Sequence, residues 1–143
     1  MEWVGTRSGT TDTSGWQRIE IADSWQLSID LVAGVRLLTT ADGLSAWLAT
    51  PSMFDARRGG KIVLDVDNAE VRGSYSLIDP PKRIVLSTEL HGELDVAFDE
   101  KTAPATILVR LTRLVKPDED DNELRTTLHS VLAKLKELTV NGG

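Results

Sequence analysis

The chain has 143 residues, carries 16 Lys and Arg against 22 Asp and Glu, and so has a formal net charge of −6 at pH 7. This length, with 41% hydrophobic residues, predicts one folded domain rather than a disordered, collagen-like or coiled-coil protein. The acidic balance argues against general nucleic-acid binding, which depends on clustered Lys and Arg. The lack of cysteine excludes disulfides and thiol chemistry.

Hydropathy and the first residues bear on location. No apolar run approaches the roughly 20 residues that a membrane-spanning helix needs, so we expect no membrane span. Met1 is followed by Glu2 and a polar stretch instead of a basic start and an apolar core, which is unlike a secretory signal. A cytoplasmic location is therefore expected.

The chain begins with a polar segment. Residues 5–15 are almost entirely Gly, Ser and Thr, a composition that buries too little apolar surface to offset the entropy of ordering. We therefore predict a flexible N-terminal arm over residues 1–15, followed by a single domain over residues 16–143.

A first strand and two short helices come next. Alternating apolar residues predict the strand: Ile19, Ile21, Trp25, Leu27, Ile29 and Leu31. Residues 32–39 and 41–48 carry apolar side chains at three-to-four spacing, and this predicts two helices with Val32 on the apolar face of the first. Pro51 is expected to close the second helix. Gly59 and Gly60 predict a turn with at least one positive φ angle.

Beyond this turn, five segments with a period of two predict an antiparallel meander. The last of these strands carries Arg110 and Arg113 on opposite faces. Either Arg113 points inward and needs an acidic or ligand carboxylate, or the strand ends before it and leaves it exposed. The exposed arrangement is the simpler expectation.

The closing segment predicts a long helix from about residue 121 to 138. Asp120 and Glu123 resemble a capping box, and Asn141-Gly142 is expected to end the helix. One apolar stripe runs along it: Leu124, Leu128, Val131, Leu132, Leu135 and Leu138. Such a stripe needs a comparable apolar surface, and one face of the predicted sheet is the surface available.

Three motifs and this order of elements carry a family resemblance over about residues 19–139. The motifs are LTTADGLSAWLATP ending at Pro51, RRGGKIVL over 57–64 and GSYSLIDPPKRIVLST over 73–88. They resemble the activator of heat-shock protein 90 ATPase homologue family, within the START-like (SRPBCC, polyketide-cyclase-like) superfamily. The resemblance implies an α+β helix-grip fold, in which a bent antiparallel sheet wraps around the long C-terminal helix, with two short helices after the first strand.

One region departs from that family. Many relatives carry a Gly-Trp pair early in the last helix, whereas this chain has Thr126-Thr127-Leu128-His129 there.

The function implied by the resemblance is a non-enzymatic binding protein with a cavity between the sheet and the C-terminal helix. Its ligand would be an apolar or amphipathic small molecule, and the protein a monomer or weak dimer. The predicted ligand-binding residues are Trp47, Gly73, Tyr75, Thr127, Leu128 and Val131. The family name also implies an alternative, a co-chaperone-like interaction module in the stress response, and a third reading is a cyclase- or hydrolase-like enzyme.

The cavity discriminates between these functions. A closed apolar void favours the carrier, a filled core favours the interaction module, and two polar groups converging in an open cleft favour the enzyme.

Metal and acid–base candidates are few. His91 and His129 are the two histidines, and we expect both to be solvated or at a rim, with His129 the candidate for a general base at the cavity mouth. The acidic clusters at 65–70 and 118–123 lack the glycine of a calcium-binding loop and are interpreted as a hairpin turn and a helix cap. We assign no catalytic residue, metal or cofactor.

Overall fold

The computed structural model describes residues 15–140. The predicted flexible arm therefore lies outside the described residues except at Gly15, as do Asn141 and Gly142 at the predicted helix end. The elements of the described part are β1 (Gln17–Gln26), α1 (Leu31–Thr39), α2 (Ala41–Trp47), β2 (Thr50–Phe54), β3 (Lys61–Val66), β4 (Ala69–Asp79), β5 (Arg83–Thr88), β6 (Gly92–Asp99), β7 (Thr106–Val115) and α3 (Asp121–Val140).

The strands of residues 15–140 form one seven-stranded antiparallel sheet in the order β1-β7-β6-β5-β4-β3-β2. β1 pairs with β7 along its whole length, from Gln17 opposite Val115 to Gln26 opposite Thr106. The register shifts once in β2 and once in β4, and such bulges bend and twist a sheet locally. The predicted α+β helix-grip fold, a bent sheet around a C-terminal helix, is confirmed.

Helix α3 lies against the inner face of the sheet. Its predicted stripe is buried at Leu124, Leu128, Val131, Leu132 and Leu135. The backbone N–H of Glu123 donates to Asp120 Oδ1 at 3.1 Å, which confirms the predicted helix start.

The C-terminal turns of α3 are fastened to the end of β1 through Thr139, which is 0% exposed. Trp25 Nε1 donates to Thr139 Oγ1 at 2.7 Å, and the backbone N–H of Ser28 donates to Thr139 O at 2.7 Å. With these bonds, α3 ends at Val140, two residues beyond its predicted end at 138.

Three expectations about the first half of the chain are wrong. The first strand stops at Gln26, and Leu31 already belongs to α1. Pro51 does not merely close a helix but lies within β2, where an edge strand tolerates its missing N–H. Val32 is 62% exposed, because α1 turns Leu38 and Gly34 to the core instead.

The predicted turns are confirmed. Gly59 has a φ of 78°, in the left-handed region that glycine enters without strain. Its backbone N–H donates to Tyr75 O at 2.8 Å, and Tyr75 N–H donates to Gly60 O at 2.9 Å, so the turn is tied to β4. Asp67 and Asn68 have φ values of 52° and 67°, as a two-residue hairpin turn requires.

Candidate functional site

The residues predicted to line a ligand cavity lie at the packed interface of sheet and helices. Tyr75 and Leu128 are 0% exposed, and Trp47 is 2% exposed. A void that admits a water molecule gives accessible surface to the side chains around it, so no such void adjoins Tyr75 or Leu128. At Gly73, an added Cβ would collide with Ser87 O and stand 3.0 Å from Thr88 Cγ2, so β5 fills that space.

The polar atoms of the buried aromatic residues donate hydrogen bonds to α1. Trp47 Nε1 donates to Leu37 O at 2.7 Å, and Tyr75 Oη donates to Leu38 O at 2.5 Å. Both acceptors belong to the last turn of α1, whose carbonyls have no partner within the helix. Burial raises the pKa of Tyr75 above its ordinary range, so the phenol stays protonated and holds α1 in place.

The other predicted residues lie on α3. Val131 is 8% exposed and shares the hydrophobic core with Trp47, Tyr75 and Leu128. Thr127 is half-buried at the margin, and its hydroxyl donates to Glu123 O at 3.1 Å. The structure thus brings four of the predicted residues into one core, and their role in ligand binding stays a prediction.

His91 is buried, contrary to the expectation that it is solvated or at a rim. It is 4% exposed, because the β5–β6 turn folds it back beside Thr88, whose Oγ1 lies 2.9 Å from His91 Nδ1. Burial, and secondarily the Arg113 cation, lower its pKa to about 4. His129 is exposed on α3. Among residues 15–140, no group of three or more His, Asp or Glu side chains is placed to hold a metal ion.

Arg113 points to the inner side of β7. The expectation of an exposed Arg113 at a strand end is wrong, because β7 continues to Val115. The Arg113 side chain is 12% exposed, and its Nη2 lies 2.9 Å from Glu119 Oε2. The hydrogen bond from Arg113 lowers the pKa of Glu119. The carboxylate that an inward arginine needs therefore comes from this chain.

A broad depression lies on the opposite, outer face of the sheet, and we call it the outer depression. Its volume is about 750 Å³, and β1, β5, β6 and β7 line it. Leu108, at its centre, is 44% exposed and pairs with Ser24 on β1 and Ala97 on β6.

Paired charges border Leu108. Arg83 Nη2 lies 2.5 Å from Asp95 Oδ2, and Arg110 Nε lies 3.5 Å from Glu20 Oε2. The hydrogen bonds that Arg83 donates to the Asp95 carboxylate raise the pKa of Arg83. The outer depression thus has an exposed apolar side chain with ion pairs of both signs nearby.

A second, smaller depression lies between α1 and the β4–β5 turn, and we call it the α1 depression. Its volume is about 400 Å³, and it is lined by Leu31, Val32, Val35, Arg36, Pro80 and Pro81. Arg36 is the charged side chain among these residues, and it is exposed.

Sequence reasoning did not single out either depression. The signal for the outer one was present, since Leu108 and Leu114 stand in the same outward row of β7 as Arg110 and are 44% and 45% exposed. The inward row of β7, with Ile107, Val109 and Leu111, has the more regular apolar pattern. The α1 depression could not be predicted from the sequence. The spacing of apolar residues predicts an apolar face on α1 but does not indicate which part of the chain packs beside that face.

Comparisons with known proteins agree on the fold. Residues 36–139 match the family model described as "Activator of Hsp90 ATPase homolog 1-like protein". No curated protein matches this chain in sequence. In the described part, no helix is both long and apolar enough to cross a membrane.

Three solved structures illustrate the likeness, which at these identities concerns the fold. A protein from Rhizobium leguminosarum is 16% identical, with 85% of this chain and 93% of that chain covered and a TM-score of 0.69. The AHSA1-like protein from Aeromonas hydrophila is 14% identical, with 83% and 90% covered and a TM-score of 0.63. The Aha1 dimer from Colwellia psychrerythraea is 19% identical, with 87% and 98% covered and a TM-score of 0.62.

Proposed function

This chain belongs to the family of Activator of Hsp90 ATPase homolog 1-like proteins, and on that premise we propose that it is a non-enzymatic protein-interaction module. The partner would be a chaperone of the Hsp90 class, met through the outer depression. The observation that supports the proposal is that Tyr75 and Leu128, two of the predicted ligand-binding residues, have no accessible surface. A filled core supports a module whose working surface is on the outside.

The outer depression supplies the chemistry that a protein partner recognises. Leu108 offers exposed apolar area within the outer depression, and the residues that contribute most to binding energy cluster near the centre of an interface. The ion pairs of Arg83 with Asp95 and of Arg110 with Glu20 form a rim of both signs. Such a rim fixes orientation and discriminates between partners more than it adds affinity.

The alternative is the small-molecule carrier predicted from the sequence, with the ligand between the sheet and α3. Its support is that this interface consists of aliphatic and aromatic side chains, which suit an apolar ligand. In that function the buried side chains Trp47, Tyr75 and Leu128 would have to move apart to admit the ligand, and Val131, at 8% exposed, lies nearer the margin.

The proposal extends to organisation and location. The arm over residues 1–15 would precede one domain over 16–143. The protein would act in the cytoplasm as a monomer or weak dimer.

The ATPase rate of a purified Hsp90-class chaperone tests the proposed function. The 143-residue protein should raise the rate, and Leu108→Lys should reduce the effect at least tenfold, because it places an unpaired cation in the centre of the contact. Leu114→Lys is the matched control, since Leu114 is equally exposed on the same strand but does not line the outer depression. Absence of stimulation and of binding by the unmodified protein would contradict the proposal, and so would equal loss in both variants.

A further inference from the structure

The α1 depression combines an apolar surface with one positively charged side chain, that of Arg36. Val32 is 62% exposed, and Val35, Pro80 and Pro81 continue the apolar lining. Arg36 lines the same depression and forms no ion pair with any residue in 15–140. An arginine at the edge of an apolar surface offers an amphipathic anion both of the contacts that it can use.

Helix geometry orders these groups along one line. Val32 and Arg36 are four residues apart in α1, and such residues lie above one another on the same helix face. Arg36 belongs to the last turn of α1. The apolar surface of Val32 therefore leads along one face of the helix to the Arg36 guanidinium, and an anion is favoured beside that cation.

We propose that the α1 depression binds an amphipathic monocarboxylate, with its carboxylate on the Arg36 guanidinium and its apolar chain along Val32, Val35 and Pro81. Arginine suits this role because its planar N–H groups match a carboxylate. The volume of about 400 Å³ lies in the range of small-molecule sites. The site is separate from the sheet–α3 interface and from the outer depression, and it does not depend on the proposed chaperone contact.

Two dependences follow from this arrangement. Affinity should rise with chain length, by at most about fourfold for each added methylene, until the depression is filled. Neutralising Arg36 should weaken binding by about 1.5-fold to fivefold, the effect of a solvent-exposed ion pair.

Decanoate is the probe, titrated into the full-length protein below its micelle concentration and followed by backbone amide shifts. The shifts should concentrate in α1 and at Lys82, which follows Pro81 in the β4–β5 turn. Arg36→Gln should lower the affinity for decanoate by the factor expected for an exposed ion pair. Val32→Ser should lower this affinity more than Arg36→Gln does, because the substitution removes apolar contact. Arg58→Gln is the matched control, because Arg58 is exposed and does not line the depression. Both test positions are exposed, so the rest of each spectrum should stay unchanged.

Three results would overturn the proposal. They are no shifts in α1, shifts centred on Tyr75 and Leu128 instead, or binding that Arg36→Gln leaves unaltered. Decyltrimethylammonium, which has the same chain and the opposite charge, should bind more weakly, and equal binding would also refute the role of Arg36. None of these results bears on chaperone stimulation, which Leu108→Lys tests on the other face of the sheet.

Discussion

Arg113 on β7 and Glu119, six residues later, form an ion pair at 2.9 Å on the inner side of the sheet. The same guanidinium donates through Nε to Leu90 O at 2.9 Å, so one side chain joins β7, the β5–β6 turn and the segment that leads into α3. Glu119 Oε1 also accepts from the backbone N–H of Lys116 at 2.9 Å. These contacts fix the position at which the chain leaves the sheet and leads into α3.

Removing the Glu119 charge should therefore destabilise the fold. Glu119→Gln leaves Arg113, whose side chain is 12% exposed, without its counter-charge, and we expect a loss of about 1 to 3 kcal/mol in the free energy of unfolding. Urea denaturation measures it. Glu20→Gln is the control, because the Glu20–Arg110 pair is exposed on both sides and should cost below about 1 kcal/mol. Equal small losses in both variants would contradict the structural role of Arg113.

His91 predicts how stability depends on pH. Its pKa is about 4 in the folded protein and about 6.5 when unfolded, so between these values the unfolded chain binds more protons and stability falls as the pH falls. By pH 5 the loss from this residue should reach about 2 kcal/mol relative to neutral pH. His91→Gln should remove that part of the dependence. His129→Gln, at an exposed position, should retain it, and parallel curves for all three proteins would refute the assignment.

Trp47 should be a principal anchor of the short helices. It is 2% exposed, so Trp47→Ala should cost about 3 to 5 kcal/mol, the usual range for deleting a buried aromatic side chain. Trp47→Phe retains a ring but leaves Leu37 O without its donor and should cost about 1 to 3 kcal/mol. Denaturant unfolding of both variants separates the contribution of the buried ring from that of the hydrogen bond to Leu37 O. A loss below about 1 kcal/mol for Trp47→Ala would mean that the side chain is not part of the core.

Gly59 isolates a backbone effect. An added Cβ would meet no atom within 4 Å, so the positive φ alone should make Gly59→Ala cost about 1 kcal/mol. Gly59→Asn should cost less, since asparagine enters the left-handed region more readily than alanine. Thermal unfolding of the two variants provides the comparison. An alanine variant as stable as the unmodified protein would show that the turn relaxes to a different conformation.

Much of the fold could be predicted because its patterns are long and regular. The stripe of α3 and the alternation of β3 to β7 each repeat over several residues, and turn residues separate the strands. β2 could not be found this way, since it is a five-residue edge strand with Pro51 and a shift of register inside it. The partner of Arg113 was equally hidden, because the position of Glu119 depends on how the chain returns after β7.

The candidate site was harder to predict from the sequence than the fold, for a physical reason. Aliphatic and aromatic residues on the inner faces of a sheet and a helix look the same whether they meet or enclose a void. The pattern therefore located Tyr75 and Leu128 at the interface of sheet and helix, but it did not indicate their complete burial. The burial of His91 likewise depends on the fold of one hairpin against β7, which no local pattern records.

Amide mapping of a chaperone complex tests most directly whether the protein works through its outer face. On titration with an Hsp90-class chaperone, we expect shifts or line broadening to centre on Ala22, Ala97, Leu108 and Arg110, while Gly73, Tyr75, Thr127 and Leu128 stay unchanged. Titration with an apolar fluorophore should leave the second group unchanged as well. Fluorophore binding that shifts Gly73, Tyr75, Thr127 and Leu128, with no chaperone effect around Leu108, would contradict the account and favour the small-molecule carrier.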